Sequence, residues 1–161
     1  MRPRGSYADV GQRALFAPET LAAPPSPVNR LRRQAATQAD EDGEVLARLR
    51  TMAAALAAHF TLRYSAVDAE AEGVVQHYGI CYADGRIRIR LRHATTGRLL
   101  KESSLVDTLC HELAHLKHFD HSLRFRRFHE KVLLEARRRG WYKPRPTPAP
   151  PREAPLWDDL R

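Results

Sequence analysis

Ser104-Leu105-Val106-Asp107-Thr108-Leu109-Cys110-His111-Glu112-Leu113-Ala114-His115-Leu116-Lys117-His118-Phe119-Asp120-His121-Ser122-Leu123-Arg124-Phe125 is the stretch that decides how this 161-residue chain is read. Within it runs His111-Glu112-x-x-His115, with a further histidine at position 121. Leu105, Leu109 and Leu116, with Val106 and Leu113, recur at helical spacing and predict a helix buried along one side. Residues four apart on a helix are separated by about one turn, so His111 and His115 project from the same face. Two imidazoles so placed can hold one metal ion, and Glu112 stands beside them to act on a water bound to it. Ser103 or Ser104 is expected to cap this helix, Ser104-x-x-Asp107 approximating a capping box. Cys110 reads as a small core residue.

A mononuclear catalytic zinc takes three protein ligands and keeps a fourth position for water. Three residues compete to be the third ligand. His118 shares the helical face but sits about 10 Å along the axis from His111 if the helix continues, too far to share one ion. His121 can reach back if the helix ends near residues 118–120 and the chain turns. Glu135 follows His115 by twenty residues, the separation of a thermolysin-type glutamate ligand. His121 is the preferred reading. Asp107, one turn before His111, could orient a ligand imidazole. Tyr78, His77 and His129 are candidate donors to an oxyanion.

Working outward, Ser122 is placed to cap a last helix over about 123–139, with Phe125, Phe128, Val132, Leu133 and Ala136 as its inner stripe and Gly140 as its stop. Upstream, residues 74–92 read as a β-hairpin around Asp84-Gly85. In its second run Ile87, Ile89 and Leu91 alternate with Arg86, Arg88, Arg90 and Arg92. One face is therefore buried, and the other is an arginine ladder that wants water, acidic neighbours or a phosphate-bearing partner. Residues 44–60 predict an amphipathic helix with Leu46, Leu49, Ala53, Leu56 and Phe60 inward, and a first strand is expected near 61–65. His59 reads as a helix-end residue rather than a ligand.

All eleven prolines lie within residues 3–27 or 144–155, which sets the middle of the chain apart as the folding unit. The expected organisation is a disordered tail over 1–40, one domain over 41–143 and a Pro-rich disordered tail over 144–161. In the first tail, Gln12-Arg13-Ala14-Leu15-Phe16 resembles the short peptide by which many bacterial proteins dock onto the replication sliding clamp. In the last, Pro155-Leu156-Trp157-Asp158-Asp159-Leu160 could be a docking peptide, with a hydrophobic tail remnant as the preferred reading. The formal net charge of +8 makes DNA or another polyanion a candidate partner, against the plainer reading of a solvated basic face. Two cysteines, Cys81 and Cys110, cannot build a disulfide framework or a four-cysteine zinc module. The sequence has neither a long apolar run nor the apolar stretch of a signal peptide, so no membrane association and a cytoplasmic, reducing setting for a monomer are the expectations.

The spacing of His111, His115 and His121 equals that of the metzincins, but His118 stands where their turn glycine falls, and no methionine lies downstream. The chain more closely resembles the YgjP-like, WLM and SprT-like zinc metallopeptidases. The residues that carry this resemblance are Gly79-Ile80-Cys81, Ile87-Arg88-Ile89-Arg90-Leu91, His111-Glu112-Leu113-Ala114-His115-Leu116-Lys117-His118 and His121-Ser122-Leu123-Arg124-Phe125. Arg126 departs from the pattern, which usually has an aromatic residue after the one corresponding to Phe125. The resemblance implies His111, His115 and His121 as metal ligands and Glu112 as catalytic base. It also implies a small zincin-like α+β domain, with an N-terminal helix, a short antiparallel sheet with its hairpin, the HExxH helix and a C-terminal helix. The expected function is zinc-dependent hydrolysis of peptide bonds, with a protein or peptide substrate and possible proximity to DNA or the sliding clamp. Two alternatives stay open at this point: a zinc-dependent nucleotide or phosphoanhydride hydrolase on the same site, and a non-catalytic zinc-stabilised module that binds nucleic acid or the clamp.

Overall fold

The computed structural model describes residues 26–144. The clamp-like peptide at 12–16 and the peptide around Trp157 lie outside the described residues. The chain divides into two compact units, 1–36 and 37–161. Of the first, the start of one helix is described; the second carries the sheet and the site. The elements are α1 (Pro27–Phe60), β1 (Ala66–Ala69), β2 (Gly79–Cys81), β3 (Arg86–Ile89), α2 (Glu102–His115) and α3 (Leu123–Arg138). This is the expected α+β class, with three helices and one small sheet.

The sheet has the order β1-β3-β2. β2 and β3 form the predicted hairpin, antiparallel, with Ile80 opposite Arg88. Its turn is the one Asp84-Gly85 announces: Gly85 sits at φ +81° and donates its N–H to the Tyr82 carbonyl at 2.9 Å. β1 pairs with β3 in parallel, Val67 opposite Ile87. The sheet is therefore mixed, not antiparallel throughout as expected. The first strand also lies further along than the expected 61–65. Those residues are taken up in ending α1: Thr61 adopts a left-handed φ of 54°, and the Leu62 N–H reaches the Ala57 carbonyl at 2.8 Å, the bond pattern of a Schellman stop.

The alternation in β3 does what it predicts. Ile87 and Ile89 are fully buried, and Leu91 follows them into the core. The arginine ladder finds partners within its own chain. Arg86 pairs with Asp84 and Arg88 with Glu70, while Arg92 pairs with both Glu41 and Asp42. Arg90 donates to the Val74 carbonyl and lies over the Tyr78 ring at 4.1 Å. None of the four is left without a protein partner, so this face does not offer the free cations that a phosphate-bearing substrate would need.

One core joins α1, the sheet, α2 and α3. α1 contributes Val45, Leu49, Met52, Ala53 and Leu56, whereas Leu46 and Phe60 are only partly buried. α1 begins at Pro27, not near residue 44, and so takes in residues 27–40 of the stretch that was expected to be disordered. Residues 27–40 are all exposed. Good helix formers such as Ala, Arg and Gln supply the propensity there, and no apolar stripe is needed for it. α2 also starts earlier than expected: Lys101 is the N-cap, without a side-chain cap, and Ser103 and Ser104 lie inside the first turn. The buried Leu100 and Leu105 bracket that start as a hydrophobic staple does, in place of the expected serine cap. Ser122 does cap α3, accepting from the Phe125 N–H, and Gly140 at φ +78° ends it.

A threonine in the left-handed region is strained where glycine is not. Thr61→Gly is expected to stabilise the protein by about 0.5–1 kcal/mol in urea melts, the relief of strain outweighing glycine's extra chain entropy. A loss of stability would show that the Thr61 side chain has a packing role that outweighs its strain.

Candidate active site

α2 ends at His115, closed by the Leu116 N–H on the Leu113 carbonyl and by the Lys117 and His118 N–H groups on the Ala114 carbonyl. The chain then turns through residues 117–121 before Ser122 starts α3. That early stop lets His121 return to the face that carries His111 and His115. The three side chains lie together, with one potential ligand nitrogen from each within 4.8 Å of the others. His111 Nε2 is 3.1 Å from His115 Nε2 and 3.1 Å from His121 Nε2. The ring of Phe125, on the first turn of α3, packs against all three imidazoles, with centroids 4.5–4.9 Å away. Phe125 thus ties α3 to the cluster.

The chemistry of this donor set fits a metal ion. His115 Nδ1 lies 3.1 Å from the His118 carbonyl, so it carries the proton and leaves a bare lone pair on Nε2. Three imidazole nitrogens facing one point repel one another unless a proton or a cation stands between them. Nitrogens at about 2.0–2.1 Å from one tetrahedral zinc would be about 3.3 Å apart, close to the spacing seen here. Burial, followed by the neighbouring His115, His129 and His121, pushes the His111 imidazole down to about 4, so it is neutral at pH 7. Neutral imidazole is the form that coordinates metal.

The other two candidates for third ligand are used elsewhere. His118 contributes its backbone carbonyl to His115, while its ring packs near Phe128. Glu135 lies near the C-terminal end of α3, where Arg138 and Arg139 grip its carboxylate and hold it down at about 2. His59 lies 3.8 Å from that same carboxylate, consistent with its reading as a helix-end residue. Asp107 meets His129, Oδ1 to Nε2 at 3.5 Å, and no bond joins it to a histidine of the cluster.

Glu112 is buried, with 5% of its surface exposed. It faces β2, whose backbone at Cys81 donates a hydrogen bond to it. Burial nevertheless dominates and pushes its carboxyl up to about 7. β2 is an edge strand. The bonds from Arg90 N–H to the Tyr78 carbonyl and from Tyr82 N–H to the Arg86 carbonyl commit residues 78, 80 and 82 to β3. Gly79 and Cys81 therefore turn their backbone groups away from β3. Between β2 and α2 opens a cleft of about 890 Å³, lined by His77 to Cys81 on one wall and by Thr108, His111, Glu112 and His115 on the other.

Two residues here escaped the sequence reading as functional. Gly79 is needed for close approach: a Cβ there would stand 2.6 Å from Thr108 Cγ2 and 2.8 Å from Glu112 Oε1. An isolated glycine within a β-prone run is the signal that could have found it. Glu70 is a buried carboxylate bound to His77 Nε2 at 3.0 Å, and nothing local in the sequence marks it. Its burial raises its pKa, but the bonds from His77 and the Ala71 N–H, with the charge of Arg88, bring the net effect below the ordinary value. Cys81 and Cys110 are free thiols, both pushed up by burial, to about 11 and about 12.

The fold and the site define a zincin-like α+β domain whose histidine cluster suggests a metal ion. Residues 76–143 match the model of the WLM domain family. The match supports a metallopeptidase-type function. Among solved structures, the chain is similar in fold to Wss1 from Saccharomyces cerevisiae, with a TM-score of 0.56 and 18% identity over 63% of this chain and 84% of that one. It is likewise similar to a mutant of Wss1 from S. pombe, with a TM-score of 0.52 and 22% identity over 60% of this chain and 86% of that one. No curated protein matches the sequence significantly. Among the described residues no helix is long and apolar enough to cross a membrane.

The raised pKa of Glu112 carries a stability consequence for the metal-free protein. A carboxyl whose folded value lies above its unfolded one adds stability below about 4.5, and that contribution is lost as pH rises through about 7. Metal-free Glu112→Gln is therefore expected to gain stability over wild type above pH 8, on the order of 1–3 kcal/mol, and to show no gain below pH 4. Thermal melts across that range check this; a pH-independent difference would contradict it.

Proposed function

We propose that this chain is a zinc-dependent peptidase that hydrolyses peptide bonds of protein or peptide substrates. The observation that carries the reading is the convergence of three imidazole nitrogens on one point, beside a buried glutamate, in a cleft bordered by an edge strand. His111, His115 and His121 would hold the metal. Zinc bound there would supply Lewis acidity, polarising a carbonyl and acidifying water.

The rest of the chemistry belongs to the chain's own residues. Glu112 has a carboxyl balanced near neutrality, at about 7, which suits a group that must take a proton and later return it. A bound cation would favour its carboxylate form, the form a general base needs. The outward backbone groups of Gly79 and Cys81 lie along the cleft. Gly79 can pair with an extended peptide as an added strand would, and the Cys81 N–H already steadies Glu112. Such a pairing reads a substrate through its backbone and so favours extended or unfolded segments over folded ones.

Action near DNA in the cytoplasm is a further part of the proposal. Its support is the outer face of α3, where Arg124, Arg126, Arg127 and Lys131 are exposed and have no acidic partner among the described residues. Net charge alone would not separate this from an ordinary solvated face.

Metal analysis and cleavage assays on unfolded proteins test the reading together. The wild type is expected to bind one zinc and to cleave. Glu112→Gln should keep the zinc and lose about 10²–10⁴-fold in rate. His121→Ala should lose both. A Glu112→Gln variant that cleaves like wild type would refute the assignment of the base, and a wild type that binds no zinc would refute the site. Repeating the assay with duplex DNA tests the nucleic-acid part: salt-sensitive stimulation supports it, and its absence removes it.

A further inference from the structure

We propose that His77, held in place by Glu70, donates a hydrogen bond to the carbonyl oxygen of the scissile peptide bond as that oxygen becomes negatively charged. This inference rests on the peptidase reading and adds to it an oxyanion donor outside the HExxH helix.

The first support is position. His77 lines the same cleft as Glu112 and His111, on the wall that leads into β2. Its charge acts on the Glu112 carboxyl and opposes the effect of burial there, which places the ring within electrostatic reach of the base. The second support is the way the ring is held. Nε2 lies 3.0 Å from Glu70 Oε2, and the Glu70 side chain is only 4% exposed. The other oxygen of Glu70 accepts the Ala71 N–H at 2.9 Å and meets Arg88 at 3.5 Å. Burying a carboxylate is costly unless its oxygens are bonded, and here the Ala71 N–H and Arg88 hold the carboxylate that fixes the imidazole. With Nε2 taken by Glu70, Nδ1 has no partner among the described residues. Nδ1 donates to the cleft when the ring carries both protons, the form for which the Glu70 carboxylate beside Nε2 is the matching counter-charge.

The other candidate donors lack this support. His129 stacks behind His111 against Phe125, its Nε2 is buried, and its ring is not part of the cleft wall. Tyr78 lines the cleft but is half exposed, and its ring is covered by Arg90.

In the reaction, a water oxygen bonds to the carbonyl carbon while Glu112 takes one proton of that water. The carbonyl π pair moves onto oxygen, where His77 donates its hydrogen bond without giving up the proton. The pair then returns as the C–N bond breaks, and the proton on Glu112 passes to the leaving nitrogen. The products are an acid and an amine. His77 is thus a catalytic residue under this proposal, and Glu70 is a positioning residue acting through it.

The test uses the full chain loaded with zinc, a peptide that wild type cleaves from a fluorogenic library, and a phosphinic analogue of that peptide. The phosphinic group imitates the charged tetrahedral oxygen that the peptide itself lacks. His77→Ala is expected to lower kcat by about 10²–10³-fold with KM little changed, and to weaken the phosphinic analogue in step, while zinc content stays at one. Glu70→Gln should show a smaller loss in kcat, and the double variant should be no worse than His77→Ala alone. If His77→Ala does not fold, His77→Gln takes its place, with the same loss of the phosphinic affinity expected. A variant that keeps kcat within about threefold overturns the proposal, as does one whose peptide and phosphinic affinities fall equally. Glu112→Gln separates the two readings. If it abolishes cleavage while His77→Ala does not, only the role of His77 falls; if wild type cleaves nothing, both fall.

Discussion

The structure depends on where α2 stops. Had the helix continued past His115, His118 would lie too far along the axis to join His111, and His121 would face elsewhere. The stop is fixed by contacts that also serve the site. The Leu116 N–H bonds to the Leu113 carbonyl, those of Lys117 and His118 to the Ala114 carbonyl, and the His118 carbonyl accepts a hydrogen bond from His115 Nδ1 at 3.1 Å. One bond thus helps to shape the turn and sets which nitrogen of His115 faces the cluster. Ser122 then restarts the helix, and Phe125 packs its ring against all three imidazoles.

A second constraint acts from the opposite wall. A buried glutamate is tolerated only where something answers its carboxylate. Here β2 comes so close to α2 that a side chain at residue 79 would strike Thr108 and Glu112, and Cys81 supplies a backbone N–H. The same approach forms the cleft and leaves the outer edge of β2 along it. Arg86, Arg88 and Arg92, by contrast, are absorbed by Asp84, Glu70, Glu41 and Asp42, so they hold the sheet, loops and α1 together.

How much of this could be read beforehand follows from which forces are local. Periodicity in 104–139 and alternation in 86–91 gave α2, α3 and the buried face of the hairpin, because an element that buries one side must write that side at its own period. The proximity of His121 to His111 and His115 followed from the reach of a short turn. The parallel pairing of β1 was not legible: Ala66-Val67-Asp68-Ala69 has one strong β-former, and its strand exists through its register with 86–89. The helical start from Pro27 was obscured because no apolar stripe marks exposed turns. The cap of α2 was misplaced because Leu100 and Leu105, not a serine oxygen, frame the first turn. Glu70 stayed hidden because its role arises when a loop folds back onto His77, seven residues away.

The central claim is that His111, His115 and His121 together hold one zinc ion. X-ray absorption on the zinc-loaded full chain tests it most directly. The account predicts a first shell containing three imidazole nitrogens at about 2.0–2.1 Å, reduced to two in His121→Ala, with Glu135→Gln leaving the shell unchanged. A shell that contains sulfur, or one that His121→Ala leaves intact, would contradict it.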